Sequence, residues 1–191
     1  VEEAGQGIPL ICLHTAGADG RQYRHLLTDN EVTDRFRVIV FDMPWHGKSS
    51  PPEGWQDTDY QLTTAAYLEM VLALADALAL EQPVVMGCSI GGRAVLHLAQ
   101  LHGARLGAVI GLQSSAMVEP YYDTSWLHRG DVHGGEVSAA QVSGLIAPDA
   151  PSAERWETLW HYMQGGPGVF RGDLHFYKNE GDIRAQLAEI D

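Results

Sequence analysis

A short stretch from residue 83 to residue 99 constrains the fold of this chain more than any other. Its first half, PVVMGC, is an apolar run rich in β-branched residues, which is typical of a buried parallel strand. Its second half, Arg93–Ala99, has apolar side chains at the spacing of one helix face. Glycines two positions on either side of Ser89 leave room for neighbouring backbone in the turn between them. The pattern predicts a tight bend that pushes the Ser89 hydroxyl out above a sheet.

The turn around Ser89 resembles the nucleophile elbow of the α/β-hydrolase family, in which G-x-S-x-G lies between a strand and a helix. The resemblance implies an α/β fold with a mostly parallel sheet flanked by helices, and Ser89 as the nucleophile. The alternative is a glycine-rich connection with no catalytic role. Cys88 is the chemical rival, but Met86 and Ile90 flank it where the turn needs glycine. We therefore interpret Cys88 as a small buried side chain.

A second glycine-containing loop, His14–Gly20, follows the apolar run Leu10–Leu13, which predicts another buried strand. Open α/β sheets place their ligand chemistry at the carboxyl ends of such strands. The loop resembles the family's His-Gly-x-Gly segment, with Thr15 in place of the first glycine. The resemblance implies an oxyanion hole formed by the backbone N–H groups of Ala16 and Ile90. The alternative is a mobile surface loop.

A third turn, Asp42–Ser49, follows the strand predicted at residues 36–41. It is similar to the family's D-x-P-G-x-G-x-S turn, with Trp45 in place of the first glycine. We expect Asp42 and Ser49 to hold the turn through hydrogen bonds to backbone amides. Trp45 is a candidate pocket residue, or an exposed tryptophan of the turn.

Strand and helix patterns alternate along residues 1–116. A long helix is predicted from Leu62 to Leu80, and a further strand from Gly107 to Leu112. Strand–helix–strand crossovers of this kind give a parallel sheet with right-handed connections. We interpret residues 1–116 as part of an α/β-hydrolase core, incomplete at both ends.

The character of the chain changes after residue 116. No strand-like run follows, and helices are predicted near residues 121–127, 137–146, 151–164 and 169–179. In the family, helices inserted at this point form a cap over the pocket. The resemblance implies an all-helical cap at residues 117–181 and a return to the core at residues 182–191. Trp126 and Trp160 are candidate pocket residues, and both also fit the apolar core of a cap.

The partners of a serine nucleophile are not found at the expected places. In the family, the acid and the histidine follow the nucleophile along the chain, in loops after later strands. None of the nine histidines matches that position, so we expect the chain to be a fragment whose histidine and acid lie beyond residue 191. Glu119, which follows the last predicted strand, is a weak candidate for the acid.

Composition limits the partners and the compartment. The formal net charge of −13 argues against a nucleic-acid or anionic-membrane partner, because both need basic patches. No apolar run reaches the roughly 18 residues of a membrane-spanning helix. The two cysteines fall in predicted strands, which fits unpaired thiols in a cytoplasmic protein. Scattered histidines without ligand spacing predict no metal and no cofactor. The oligomeric state is open, a homo-oligomer included.

Together these patterns predict a serine hydrolase of the carboxylic-ester type. Ser89 would attack a small or medium ester-like bond of a small-molecule substrate and form an acyl-enzyme. A lactonase, a thioesterase or a carbon–carbon bond hydrolase is an alternative, because these enzymes use the same kind of catalytic residues. The rival interpretation is a ligand-binding or receptor-like homologue that keeps the elbow with little or no turnover.

Overall fold

The computed structural model describes residues 1–117 and 133–190, and within these ranges five strands form one sheet. The strands are β1 (Glu2–Ala4), β2 (Ile8–Leu13), β3 (Phe36–Val40), β4 (Val84–Cys88) and β5 (Ala108–Leu112). They lie in the order β1-β3-β2-β4-β5. Neighbours from β3 to β5 are parallel, as predicted, and β1 adds an antiparallel edge. The sheet is therefore mixed but mostly parallel.

Helices connect the strands and make up the regular structure of residues 133–190. They are α1 (Arg24–Thr28), α2 (Asn30–Thr33), α3 (Thr64–Ala77), α4 (Ile90–His102), α5 (Gly134–Ser143), α6 (Ser152–Met163) and α7 (Val169–His175). A π-helical turn, Phe176–Glu180, continues α7. Short 3₁₀ helices lie at Gly20–Tyr23, Trp55–Asp57, Gly103–Arg105 and Arg184–Glu189. Within the described ranges, none of the helices has the length and apolarity needed to cross a membrane.

The predicted cap helices correspond to observed ones where the chain is described. The helices predicted at 137–146, 151–164 and 169–179 are α5, α6, and α7 with its π-helical turn. The helix predicted at 121–127 lies outside the described residues. After residue 181 the chain forms the 3₁₀ helix Arg184–Glu189, which packs against α4. The division into core and cap at residues 116 and 181 stays a prediction.

Each face of the sheet has its own apolar core, because alternate residues of a strand point to opposite sides. Ile11 and Val85 lie in the larger core, together with the buried faces of α3 and α4. Leu10 and Cys12 lie in the smaller core on the other face, which also contains Tyr23. Burial on both faces explains why β2 and β4 are continuous apolar runs rather than alternating ones.

The turn between β4 and α4 is tight because backbone touches backbone there. A Cβ added at Gly87 would lie 2.3 Å from the carbonyl carbon of Gly91. A Cβ added at Gly91 would lie 2.8 Å from the carbonyl oxygen of Leu13. Backbone atoms cannot rotate away as side chains do, so both positions require glycine. The two glycines around Ser89 are thus explained by packing, independently of any catalytic role.

We expect Gly87→Ala to lower the free energy of unfolding by about 2–3 kcal/mol, the upper range for inserting one carbon into a packed site. Gly103→Ala is the matched control, because a Cβ at Gly103 has open space around it and its φ is −49°. This control should be neutral or stabilising by up to about 1 kcal/mol. Urea unfolding of both variants measures the difference. Equal effects at the two positions would contradict the packing argument.

Candidate active site

Ser89 lies at the end of β4 in a strained backbone conformation. Its φ is 55° and its ψ is −112°, a left-handed region that non-glycine residues rarely adopt. Such strain costs about 1–3 kcal/mol and persists only when the surroundings hold it. The Ser89 N–H donates to the carbonyl of Leu112 at 2.9 Å, and its carbonyl accepts from the Arg93 N–H at 3.0 Å. Neighbouring β5 and the first turn of α4 therefore hold the serine in place.

The side chain of Ser89 is half-buried, and within residues 1–117 and 133–190 its hydroxyl makes no hydrogen bond. The adjacent Ile90 is fully buried and begins α4. N–H groups in the first turn of a helix have no acceptor within that helix. Among the described residues the Ile90 N–H has no acceptor, so it can bind an oxygen placed beside the Ser89 hydroxyl.

The loop His14–Gly20 begins beside this turn, because Leu13 of β2 pairs with Gly87 of β4. Its Thr15 N–H donates to Oε1 of Gln22 at 2.9 Å. Its Gly17 N–H donates to Oδ2 of Asp173 at 2.7 Å. Between them, the Ala16 N–H has no acceptor among the described residues. Of these three amides, the one predicted as an oxyanion donor is the one left available.

His14 joins this loop to the turn after β3 and is held as a neutral ring. Its Nδ1–H donates to the carbonyl of Thr15 at 3.0 Å, and its Nε2 accepts from the Met43 N–H at 3.2 Å. Burial, together with the positive charge of His46, lowers the pKa of His14 to about 4. Both ring nitrogens are occupied, so His14 supports the loop and is not placed to act as a base.

The turn after β3 is held by the two residues predicted to hold it. Asp42 accepts from the Gly20 N–H at 2.7 Å and from the Lys48 N–H at 2.9 Å. The Ser49 hydroxyl donates to the Asp42 carbonyl at 2.7 Å, whereas we expected it to accept from a backbone N–H. Asp42 thus ties this turn to the loop that follows β2.

The buried carboxylate of Asp173 and the buried imidazole of His46 form a pair next to the loop His14–Gly20. Neither residue was identified from the sequence. Asp173 of α7 is 0% exposed and His46 is 2% exposed. His46 Nε2–H donates to Asp173 Oδ2 at 2.8 Å, and the Tyr60 hydroxyl donates to Asp173 Oδ1 at 2.8 Å. The available signal was the position of Asp173 on the helix face that buries Val169 and Phe176, where a carboxylate needs a partner.

The His46 ring is positively charged in this arrangement. Its Nδ1 faces the carbonyl of Pro44 at 2.9 Å and its Nε2 faces Asp173, so both nitrogens must carry a proton. Burial alone lowers the pKa of His46, but the charge and hydrogen bond of Asp173 and the Pro44 carbonyl raise it above the ordinary value. The pair is a neutralised ion pair enclosed by protein.

The predicted pocket tryptophans lie in different surroundings. Trp45 is half-buried and packs on Trp55 and Tyr60, with ring centroids 5.8 Å and 5.3 Å away. Trp160 on α6 is 61% exposed. Trp126 and the candidate acid Glu119 lie outside the described residues. A pocket role for these residues, and an acid role for Glu119, stay predictions.

Cys88, the rival nucleophile, is half-buried in β4, where burial raises the pKa of its thiol. Its hydrogen bonds, to Gln22 and to the Ser89 backbone, act in the opposite direction but do not outweigh burial. A thiol with a raised pKa is a poor nucleophile near neutral pH. In the described ranges, no set of three or more histidine, cysteine or carboxylate side chains is placed to share a metal ion.

A family model described as alpha/beta hydrolase fold matches residues 8–130, which is more than half of the chain. The chain belongs to the α/β-hydrolase family. The matched range includes the loop after β2, the turn after β3 and the turn at Ser89. The resemblance inferred from the Ser89 pattern is therefore confirmed.

Individual proteins resemble this chain in sequence or in fold. It is 34% identical over 115 residues to a pimeloyl-[acyl-carrier protein] methyl ester esterase of Aeromonas hydrophila, covering 60% of this chain and 41% of the esterase. A hydrolase from Pseudomonas aeruginosa PA01 has a TM-score of 0.82 and 25% identity, covering 100% of this chain and 71% of that one. An enol-lactonase from Burkholderia xenovorans LB400 has a TM-score of 0.82 and 18% identity, covering 100% and 73%. The chain spans 34% to 41% of the length of the curated relatives it matches.

The lowered pKa of His14 predicts that this α/β-hydrolase loses stability in acid. Between pH 6.5 and about 4, His14 is protonated in the unfolded chain but stays neutral in the folded chain. At about 1.4 kcal/mol per pH unit, the free energy of unfolding should fall by about 3 kcal/mol across this window. The raised pKa of His46 has the opposite effect on stability. Above pH 6.5 the folded chain keeps a proton on His46 that the unfolded chain releases, so this contribution to the free energy of unfolding is lost as the pH rises.

Urea unfolding of the wild type and of His14→Gln at pH 7, 5.5 and 4.5 measures this contribution. The variant should be less stable at pH 7 but should lose less stability on acidification, because the titrating ring is gone. Parallel pH profiles for the two proteins would show that His14 does not carry the effect.

Proposed function

We propose that this α/β-hydrolase cleaves small or medium ester-like bonds through an acyl-enzyme on Ser89. The observation that carries the proposal is the strained Ser89, which directly precedes the first residue of α4 and whose hydroxyl makes no hydrogen bond within the described ranges. Strain held at such a cost is typical of functional sites. The turn also has the strand-turn-helix context that the G-x-S-x-G pattern requires.

In the proposed reaction, Ser89 Oγ attacks the substrate carbonyl carbon while its proton passes to a histidine base outside the described residues. The carbonyl oxygen becomes an oxyanion and accepts hydrogen bonds from the N–H groups of Ala16 and Ile90. The tetrahedral intermediate collapses, the carbon–oxygen bond to the leaving group breaks, and that oxygen takes the proton. Water then cleaves the acyl-enzyme by the same steps and regenerates Ser89.

The two amides carry much of the proposed rate enhancement. Each donor of an oxyanion hole typically contributes a factor of about 10² to 10³ in kcat. The amides on either side of Ala16 are already bound, to Gln22 and to Asp173. The loop is thus held by its neighbours, while its central N–H has no acceptor among the described residues, which supports the choice of Ala16.

The relatives support the same class of bond. A methyl ester esterase and an enol-lactonase are named for substrates with an acyl carbon–oxygen bond. A nucleophilic serine and two amide donors suit that bond, because the charge develops on one carbonyl oxygen. We place Trp45 and Trp160 in the substrate pocket as part of the proposal, with specificity set by the cap.

A second candidate function is ligand binding with little or no turnover. It is favoured by the hydrogen bonds of the described histidines, none of which reaches Ser89. Labelling of the full-length protein with a fluorophosphonate separates the two candidates, because only an activated serine reacts quickly with this probe. Rapid labelling that is lost in Ser89→Ala supports the hydrolase.

We expect Ser89→Ala in the full-length protein to lower kcat for an activated 4-nitrophenyl ester by about 10⁴-fold or more, since the nucleophile is removed. Cys88→Ala is the matched control at the neighbouring position and should keep activity, because the Cys88 thiol has a raised pKa. Stopped assays at pH 7.5 compare both variants with the wild type. Unchanged turnover in Ser89→Ala, or its loss in Cys88→Ala, would end the assignment of the nucleophile.

A further inference from the structure

We infer that Asp173, a residue of the predicted cap, is a positioning residue for the oxyanion hole. The inference rests on the proposed function, because it concerns the donor loop of that reaction. Asp173 does not touch the reacting atoms. It acts by holding the backbone on one side of the Ala16 amide.

The contact is direct and buried. The Gly17 N–H donates to Asp173 Oδ2 at 2.7 Å, across 156 positions of sequence. Hydrogen bonds to an ionised carboxylate are shorter and about twice as strong as neutral ones. Because a peptide group is planar, fixing the Gly17 N–H also fixes the carbonyl of Ala16. The bond from the Thr15 N–H to Gln22 fixes the peptide plane before the one that carries the Ala16 N–H.

The loop needs such a partner because glycine leaves its conformation open. Gly17 has a φ of +67°, and glycine adopts positive φ values about as readily as negative ones. A Cβ at Gly17 would lie 3.0 Å from the side chain of Phe170, so α7 also packs closely on the loop. The Tyr162 hydroxyl of α6 donates to Thr15 Oγ1 at 3.3 Å. Helices after residue 133 therefore hold the donor loop from outside the sheet.

The charge of the carboxylate is the second part of the argument. A lone negative charge one residue from the donor would repel the oxyanion that forms in the reaction. His46 removes this repulsion, because its imidazolium shares Asp173 Oδ2 with the Gly17 N–H. The pair supplies a strong acceptor for the loop without leaving a net charge there.

The test compares two variants of the full-length protein in ester hydrolysis. Asp173→Leu fills the same space without an acceptor, and we expect kcat to fall about 10- to 100-fold with KM within about threefold. Asp173→Asn keeps an oxygen for the Gly17 N–H and should recover most of kcat. Tyr60→Phe is the matched control, because it removes a hydrogen bond to the other carboxylate oxygen and leaves Gly17 untouched. Its kcat should stay within about twofold.

A trifluoromethyl ketone, which adds to the serine as an oxyanion, supplies a readout that a merely structural residue would not change. If Asp173 positions the hole, the inhibition constant should rise in Asp173→Leu by the same factor as kcat/KM falls, since both report the oxyanion. An unchanged inhibition constant in a folded Asp173→Leu protein, or a loss in Tyr60→Phe as large as in Asp173→Leu, would overturn the inference.

Two further results keep the inference separate from the proposed function and from folding. Turnover that persists in Ser89→Ala refutes the proposed function itself. An inactive Ser89→Ala together with full activity in Asp173→Leu refutes only the role of Asp173. If Asp173→Leu does not fold, hydrogen exchange of the wild-type Gly17 amide decides. Strong protection supports the inference, and exchange at the rate of a free peptide overturns it.

Discussion

The site depends on one close approach, in which the backbone of the turn after β4 touches its own helix and the end of β2. The contacts that a Cβ would make at Gly87 and Gly91 show that these segments are already at van der Waals distance. This packing holds Ser89 in a left-handed conformation. It also brings the loop after β2 beside the first amides of α4. The proposed nucleophile and both proposed donors are therefore positioned by the same contact.

A second constraint, the enclosed pair of Asp173 and His46, ties α7 to this arrangement. A buried ion pair adds little net stability, since desolvation offsets its attraction, but loss of one partner leaves a costly buried charge. The pair therefore fixes where these segments lie and adds little to the stability of the fold. Three donors, from the loop after β2, the turn after β3 and the segment before α3, meet at this carboxylate of α7. One side chain thus fixes the relative positions of four segments.

The sequence predicts what is local and misses what is distant. The strand, turn and helix around Ser89 follow from the spacing of glycines and apolar residues within a few turns, and so does the mostly parallel sheet. The contact between Asp173 and His46 joins residues 127 positions apart. Periodicity shows that Asp173 lies on a buried face, and chemistry then requires a partner, but neither identifies which of nine histidines provides it. Only the folded chain brings the two together.

Trp45, which departs from the family's motif, contacts a residue that is hydrogen-bonded to Asp173. Trp45 stands where the family's turn has glycine, and its φ of 76° lies in the region that favours glycine. A bulky residue there is strained, so the surroundings must stabilise it. Tyr60 packs on the Trp45 ring and donates its hydroxyl to Asp173. Tyr60 therefore packs on the strained Trp45 and, through its hydroxyl, also hydrogen-bonds to the Asp173 carboxylate. In this chain Asp173 therefore connects the loop after β2, the turn after β3 and α7 through hydrogen bonds to one carboxylate.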